Sequence, residues 1–111
     1  MMENDFIITK VEWHTQRIRN YEFDKEIVYL AYKNLIDYLQ VNKLTTHIIL
    51  ASNDNANDET AIRRSDLTEE GYSFVKKVYN RWLDKVFDKK IAANDFKMLD
   101  AALKKLRQSG N

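Results

Sequence analysis

The side chains that could carry chemistry in this sequence form no arrangement typical of a catalytic site. The two histidines, His14 and His47, are 33 residues apart, and neither has a carboxylate at the spacing of a His-Glu-x-x-His zinc site. With two glycines and no cysteine, the chain has no glycine-rich phosphate loop, no thiolate metal site and no disulfide framework. We therefore expect no catalytic residue, no metal and no cofactor, and a protein that is not an enzyme.

The asparagines of residues 53–58 suggest a calcium-binding loop, and their register excludes one. Counting from Asn53, the sixth position is Asp58, where a calcium loop of the EF-hand type needs glycine. The twelfth position is Arg64, where such a loop needs a bidentate glutamate. Because Asn and Asp bond their own backbone and tolerate turn geometry, residues 52–59 are instead predicted to form a polar tip between two strands.

Charge is distributed unevenly along the chain, although the net charge is only +1. Residues 1–66 contain eight basic and eleven acidic residues, whereas residues 67–111 contain ten basic and six acidic ones. Attraction for a polyanion is therefore expected in the C-terminal helices, where Lys77, Arg81 and Lys85 form a basic stripe with a spacing of four. A solvated helix face is the alternative, because Asp84 and Asp88 lie among these cations.

Hydrophobic periodicity predicts a single domain, residues 1–111, built mainly from helices. Residues 6–19 are strand-like at their start, but the spacing of Ile7, Val11 and Ile18 favours a helix that begins after Asp5. A second helix is predicted over residues 24–40, with Asp24 as its N-cap. Apolar residues cover more than half of its circumference, so it should be central and packed on two sides.

Residues 45–51 and 60–64 are predicted to pair as a β-hairpin around the polar tip. The hairpin leads into a long helix that should begin at the N-cap Thr68 and end near Lys89. Gly71 lies in the first turn of this helix, where it costs about 1 kcal/mol relative to alanine, and so indicates close approach of another backbone. A last helix is predicted to begin at a cap formed by Asn94 or Asp95.

Residues 63–71, Arg-Arg-Ser-Asp-Leu-Thr-Glu-Glu-Gly, resemble the wing-to-helix junction of the MarR and PadR families of winged-helix regulators. In those families a basic wing strand runs into a Leu-Thr-x-x-Gly turn and then into a long dimerisation helix. The resemblance extends over about residues 35–90 and is specific in the nine junction residues. It implies an α+β, mainly α, winged-helix-like fold with one two-stranded hairpin followed by two C-terminal helices.

On this resemblance, the helix over residues 24–40 corresponds to the recognition helix, and the two C-terminal helices to a homodimer interface. Lys33 and Asn34 would then face the base edges of DNA. Arg63 and Arg64, at the base of the wing, would clamp phosphates or enter a minor groove. Pairing of the two arginines with neighbouring acidic residues is the alternative.

Two functions follow from these patterns. The first is a small, non-catalytic DNA-binding regulator of transcription. The alternative is a protein-binding inhibitor, such as an immunity protein or antitoxin that blocks a nuclease toxin, in which Asp54, Asp58 and Glu59 mimic a polyanion and occupy the basic site of a protein partner. The acidic N-terminus is unlike a signal peptide, and no apolar run is long enough to span a membrane, so we expect a cytoplasmic protein without a membrane partner.

Overall fold

The computed structural model describes residues 5–16, 21–51 and 53–109, and the side chains of residues 21–24 and 109 fall outside that description. The described chain contains α-helices, a 3-10 turn over Arg64–Asp66 and a two-stranded antiparallel sheet. In chain order the elements are β1 (Ile7–Lys10), α1 (Val11–Thr15), α2 (Tyr21–Val41), β2 (Ala61–Arg63), α3 (Glu69–Phe87) and α4 (Lys97–Ser109). The predicted class, a mainly helical α+β domain with two paired strands followed by two C-terminal helices, is confirmed.

α2 is the central element of the domain, as its wide apolar face predicts. It packs against both α1 and α3. Six of its side chains are at most 1% exposed, namely Val28, Ala31, Tyr32, Leu35, Ile36 and Leu39. A helix that buries this much of its circumference cannot also offer a broad free face to a ligand, and this limits where a functional surface can lie.

The start of α2 differs from the prediction. α2 begins at Tyr21, so Asp24 lies within the helix and is not its N-cap. The reason is that the residues before Asp24 are compatible with helix, so the helical turn continues in the N-terminal direction past the predicted cap. Residues 17–20, which include the predicted apolar position Ile18, lie outside the described residues.

The sheet is formed by different strands from those predicted. β2 pairs with β1, with Ile7 opposite Arg63 and Lys10 opposite Ala61. Residues 7–10 are therefore a strand, and the predicted helix is restricted to α1 within the described part of 6–19. The three β-branched residues of β1 suit a strand, and pairing with a distant segment outweighs their local helical spacing.

Residues 45–51 form no strand, so the predicted hairpin, and with it the predicted wing, is wrong. Thr45 makes one isolated bridge to Leu67. Farther along, the backbone of residues 49 and 50 bonds to the side-chain amide of Gln40. The Gln40 Oε1 accepts hydrogen bonds from the N–H groups of Ile49 at 2.7 Å and Leu50 at 3.0 Å, and its Nε2 donates to the Leu50 carbonyl at 3.0 Å. The helix thus satisfies the backbone groups that the predicted hairpin would have paired.

The junction before α3 forms as capping chemistry predicts. Thr68 is the N-cap, and its hydroxyl accepts a hydrogen bond from the Gly71 N–H at 3.0 Å. α3 continues to Phe87, close to its predicted end. The close approach predicted at Gly71 is also confirmed, because the backbone of Leu44 lies directly against it.

The two C-terminal helices are joined by a short, well-bonded link. Asp95, one of the two residues predicted to cap α4, lies two residues before the helix, and its Oδ1 accepts a hydrogen bond from the Lys97 N–H at 3.1 Å. The buried indole of Trp82 donates to the Asp95 carbonyl at 2.9 Å. Leu99 and Leu103 of α4 are buried, as their helical spacing predicts.

Asp5 ties the start of the chain to the end of β2. Its Oδ1 accepts from the Ser65 N–H at 2.9 Å, and its Oδ2 accepts from Arg63 Nε at 3.0 Å. The Ser65 N–H first, and the Arg63 guanidinium second, lower the pKa of the Asp5 carboxyl below its ordinary value. This carboxylate therefore stabilises the fold in its ionised form.

We expect the contribution of Asp5 to stability to depend on pH. A carboxyl with a lowered pKa in the folded state stabilises above its unfolded pKa, and this contribution is lost as the pH falls through the folded pKa. Urea unfolding of the wild type and of Asp5→Asn should therefore differ at neutral pH and converge in acid. An NMR titration in which Asp5 protonates at or above the ordinary pKa of aspartate would contradict this expectation. Arg63→Gln should raise the pKa of Asp5 without restoring its ordinary value, because the Ser65 N–H still bonds the carboxylate.

Candidate functional site

The two residues of α2 that were predicted to face DNA bond to loops of their own chain. Lys33 Nζ donates to the Ala51 carbonyl at 3.0 Å and forms an ion pair with Asp37 at 3.4 Å. Asn34 Nδ2 donates to the Ala93 carbonyl at 2.9 Å. Both side chains are partly buried, and they hold the loop after α2 and the link before α4. Base contacts from these two positions would require those bonds to break.

The two arginines predicted at the wing base differ in their environments. Arg64 is enclosed: its guanidinium donates to the Leu67 carbonyl at 3.1 Å, pairs with Glu69 at 2.6 Å and lies 4.3 Å from the centre of the Tyr72 ring. Arg63 is more open, with its side chain 47% exposed and its Nε bonded to Asp5. Of the four residues predicted to bind DNA, Arg63 is therefore the one that remains most accessible.

The polar tip, which we define as residues 53–59, is anchored to the body of the protein. Asp58 Oδ1 accepts hydrogen bonds from the Tyr29 hydroxyl at 2.9 Å and from the Thr15 hydroxyl at 3.2 Å. Ala56 is buried in the hydrophobic core. Burial, and then the Asp58 carboxylate, raise the pKa of Tyr29, so its phenol remains a hydrogen-bond donor at neutral pH. The tip is therefore a fixed feature of the surface and is anchored at two points.

The other two acidic residues of the polar tip point to solvent. Asp54 is exposed, and the side chain of Glu59 is 84% exposed, with Lys10 at 3.9 Å from its carboxylate. Asn57 shapes the turn between them, since its Oδ1 accepts from the Glu59 N–H at 2.8 Å. Of the three predicted partner-binding acids, the structure thus assigns Asp58 to anchoring and leaves Asp54 and Glu59 accessible.

A shallow hollow of 240 Å³ lies beside the polar tip. Asn55 and Ala56 form one wall, and Tyr29 and Leu30 of α2 form another. Leu30 is 52% exposed. The polar tip thus borders an apolar contact, and Glu26 and Lys33 complete the lining of the hollow.

One polar pair was missed from the sequence. His47 Nε2 lies 2.6 Å from Asp66 Oδ1, and the other oxygen of this buried carboxylate accepts from the Arg63 N–H at 2.8 Å. The pair connects the segment after α2 to the 3-10 turn. Nineteen positions separate the two residues, so no motif spacing could have revealed them. Within the described ranges, no group of three or more histidine, cysteine or acidic side chains could hold a metal ion.

A second surface feature is a groove of 380 Å³ between α3 and α4. The groove is lined by Lys77, Val78 and Arg81 of α3. On α4 it is lined by residues at helical spacing that include Met98, Ala102 and Lys105. Two members of the predicted basic stripe, Lys77 and Arg81, therefore border an apolar groove, whereas Lys85 does not line it. The sequence places Ala102 and Leu106 on the apolar face of this helix, but it does not show that they face an open groove rather than the core.

Comparisons of this chain with protein-family models, with curated proteins and with solved structures return no match. The resemblance to the MarR and PadR junction therefore stays a prediction. Among the residues described, no helix is both long enough and apolar enough to cross a lipid bilayer.

Proposed function

We propose that this protein is a non-catalytic inhibitor that binds a basic protein partner through its polar tip, in the manner of an immunity protein or antitoxin that blocks a nuclease. We expect it to act in the cytoplasm, as the sequence predicts. The observation that carries the proposal is the anchoring of the tip by Asp58, next to the exposed carboxylates of Asp54 and Glu59.

Anchoring matters because a flexible loop loses conformational entropy when it binds, and this loss reduces its affinity. Ordering costs about 0.5–1.5 kcal/mol for each long side chain that binding immobilises, with a further cost for a mobile backbone. The polar tip avoids most of the backbone cost, since Asp58 is held by two hydroxyl groups and Ala56 is buried. Two carboxylates on a fixed loop can complement the cations that line a phosphate-binding site.

The hollow beside the tip supports the same proposal. Stable protein interfaces combine a desolvated apolar centre with a polar rim. Leu30 offers an apolar contact that a partner could cover, and the tip supplies the charged rim next to it. An inhibitor that acts by occupying the site of its partner needs no catalytic group, which agrees with the lack of a recognisable catalytic motif in the sequence.

DNA binding is the competing candidate, and the exposure of Arg63 is the observation that favours it. The other three residues of the predicted DNA surface are less suited, since Lys33, Asn34 and Arg64 bond to carbonyl groups or acids of their own chain. The homodimer predicted from the C-terminal helices belongs to this candidate, and sedimentation equilibrium of the wild type tests it.

The test of the inhibitor reverses the charge of the tip. Asp54→Lys combined with Glu59→Lys leaves Asp58 and its anchoring bonds in place, so the fold should be retained. A partner captured from the source cell by the wild type should be a basic protein, and the double variant should bind it at least about tenfold more weakly, because repulsion replaces attraction at the rim. Isothermal titration calorimetry with the purified partner gives the affinities.

The matched control is Asp84→Lys with Asp88→Lys, which changes the net charge equally at two exposed positions, one in the last turn of α3 and one directly after it, and should leave binding unchanged. A partner that binds both double variants alike, or the failure to capture any basic protein, would refute the inhibitor. Labelled duplex DNA distinguishes the competing candidate. Salt-sensitive DNA binding that is lost in Arg63→Glu but kept in the tip variant would instead establish a DNA-binding regulator.

A further inference from the structure

The floor of the groove between α3 and α4 is formed by apolar side chains of both helices. From α4, Met98, Ala102 and Leu106 recur at spacings of four and are half-buried, and Ala101 lies exposed beside them. From α3, Val78 closes the bottom of the groove. Two adjacent alanines allow a partner backbone to approach closely, and the flanking larger side chains give it apolar contacts.

The rim of the same groove is cationic. Lys77 and Arg81 border it on α3, and Lys105 borders it on α4. The lining contains no acidic side chain of the described chain. Arg81 donates to the Lys77 carbonyl of its own helix at 3.3 Å, and neither residue forms an ion pair with any acid that the structure describes. Positive charge on both sides of an apolar floor favours an occupant that has an apolar face flanked by acidic side chains.

We propose that this groove docks an acidic amphipathic helix of a partner protein. The apolar face of that helix lies on Val78, Met98 and Ala102, and its flanking glutamates or aspartates face Lys77, Arg81 and Lys105. This is the helix-in-groove mode of recognition, in which apolar residues at i, i+3, i+4 and i+7 provide the anchors. The site is separate from the polar tip and does not depend on the function proposed for it.

Charge decides against the two other occupants of such a surface. In a symmetric dimer the same patch meets itself, so a second copy of this chain would bring Lys77, Arg81 and Lys105 against their own counterparts. A nucleic acid would satisfy the cations but would leave the apolar floor uncovered, because phosphates stay hydrated while the floor gains only from contact with carbon atoms. An acidic amphipathic helix satisfies both features.

The probe is a synthetic peptide of about 18 residues with leucines at helical spacing and glutamates on both flanks. Its two reference peptides carry lysine in place of each glutamate, or the same residues in scrambled order. By fluorescence polarisation, the full-length protein should bind the acidic peptide at least about tenfold more tightly than either reference. Equal binding of the acidic and scrambled peptides, or no binding, overturns the proposal.

The protein variants separate charge from shape. Lys77→Glu with Arg81→Glu should weaken binding of the acidic peptide at least about tenfold, whereas Lys85→Glu with Lys104→Glu, equal in charge but outside the groove lining, should change it less than about threefold. Ala101→Arg adds a cation but fills the floor. Binding should fall in this variant if the groove receives a helix, and a rise would show that charge alone attracts the peptide.

Two further results would replace the proposed occupant. Sedimentation equilibrium that shows a dimer of the wild type and a monomer of Ala101→Arg would assign the groove to a second copy of this chain. Duplex DNA that binds more tightly than the acidic peptide, with the same dependence on Lys77 and Arg81, would make the groove a nucleic-acid surface. Circular dichroism melting of every variant checks that the differences do not arise from unfolding.

Discussion

Replacing Gly71 with alanine should destabilise the protein by more than about 3 kcal/mol, although the same change inside an exposed helix normally stabilises it by about 1 kcal/mol. The added carbon would lie 2.1 Å from the Leu44 carbonyl oxygen and 3.0 Å from its carbonyl carbon. No rotation of a side chain relieves this overlap, because the neighbouring atoms belong to the backbone.

The Leu44 backbone forms three hydrogen bonds, and these oppose its moving aside. Its carbonyl accepts from the Thr68 N–H at 3.0 Å and from the Thr68 hydroxyl at 3.3 Å, and its own N–H donates to the Leu39 carbonyl at 2.9 Å. Moving it would break the hydrogen bonds that join Leu44 to Thr68, the N-cap residue of α3, and to Leu39 of α2. Urea denaturation monitored by circular dichroism measures the change in unfolding free energy.

The control for Gly71→Ala is Ser73→Ala, which lies on the exposed face of the same helix turn and should be neutral or slightly stabilising. If Gly71→Ala proves as stable as the wild type, then Leu44 does not pack where the structure has it. In that case the connection between α2 and α3 takes a different path.

Trp82→Ala should cost about 3–5 kcal/mol of unfolding free energy, the range found when a large aromatic residue is removed from a core. Trp82 is fully buried at 0% exposure and is the largest of the buried side chains. Its ring centre is 6.0 Å from that of Phe96, and its Nε1–H donates to the Asp95 carbonyl. The substitution therefore removes apolar contact and also leaves a carbonyl of the link to α4 without its donor.

Trp13 provides the matched control, since it is the other tryptophan of the chain and is 44% exposed. Trp13→Ala should cost less than about 1 kcal/mol, because most of the transfer energy of a half-exposed side chain is not gained on folding. Circular dichroism is the appropriate signal, since both variants alter the fluorescence. Similar losses in the two variants would contradict the position of Trp82 in the core.

The parts of the fold that sequence predicts well are those fixed by neighbours in the chain. Thr68 caps α3 through an N–H only three residues away, and the apolar stripes of α2 and α3 follow helical spacing alone. The pairing of β1 with β2 has no local signal, because it depends on which distant segment reaches the edge of Ala61–Arg63 first. Gln40 illustrates the same limit, since a helical glutamine gives no sign that it will bond to a loop nine residues later.

The candidate site was likewise predictable from the sequence only in part. The sequence correctly predicts a polar, turn-rich tip, but it cannot distinguish Asp58, which anchors that tip, from the exposed Asp54 and Glu59. Lys33 and Asn34 have the spacing of solvated residues on a helix, and they bond to carbonyl groups only because two loops pass over them. Which polar side chains remain available for a partner is decided by the paths of loops, and those paths are set by packing.

The pairing of Ile7–Lys10 with Ala61–Arg63 also bears on how the molecule assembles. The two strands are more than fifty residues apart in sequence, with α1 and α2 between them, so bringing them together carries an entropic cost that contacts within a helix do not. While β1 is unpaired, Ile62 belongs to an open strand edge, the kind of surface through which chains aggregate. The pairing therefore covers an edge that would otherwise favour aggregation.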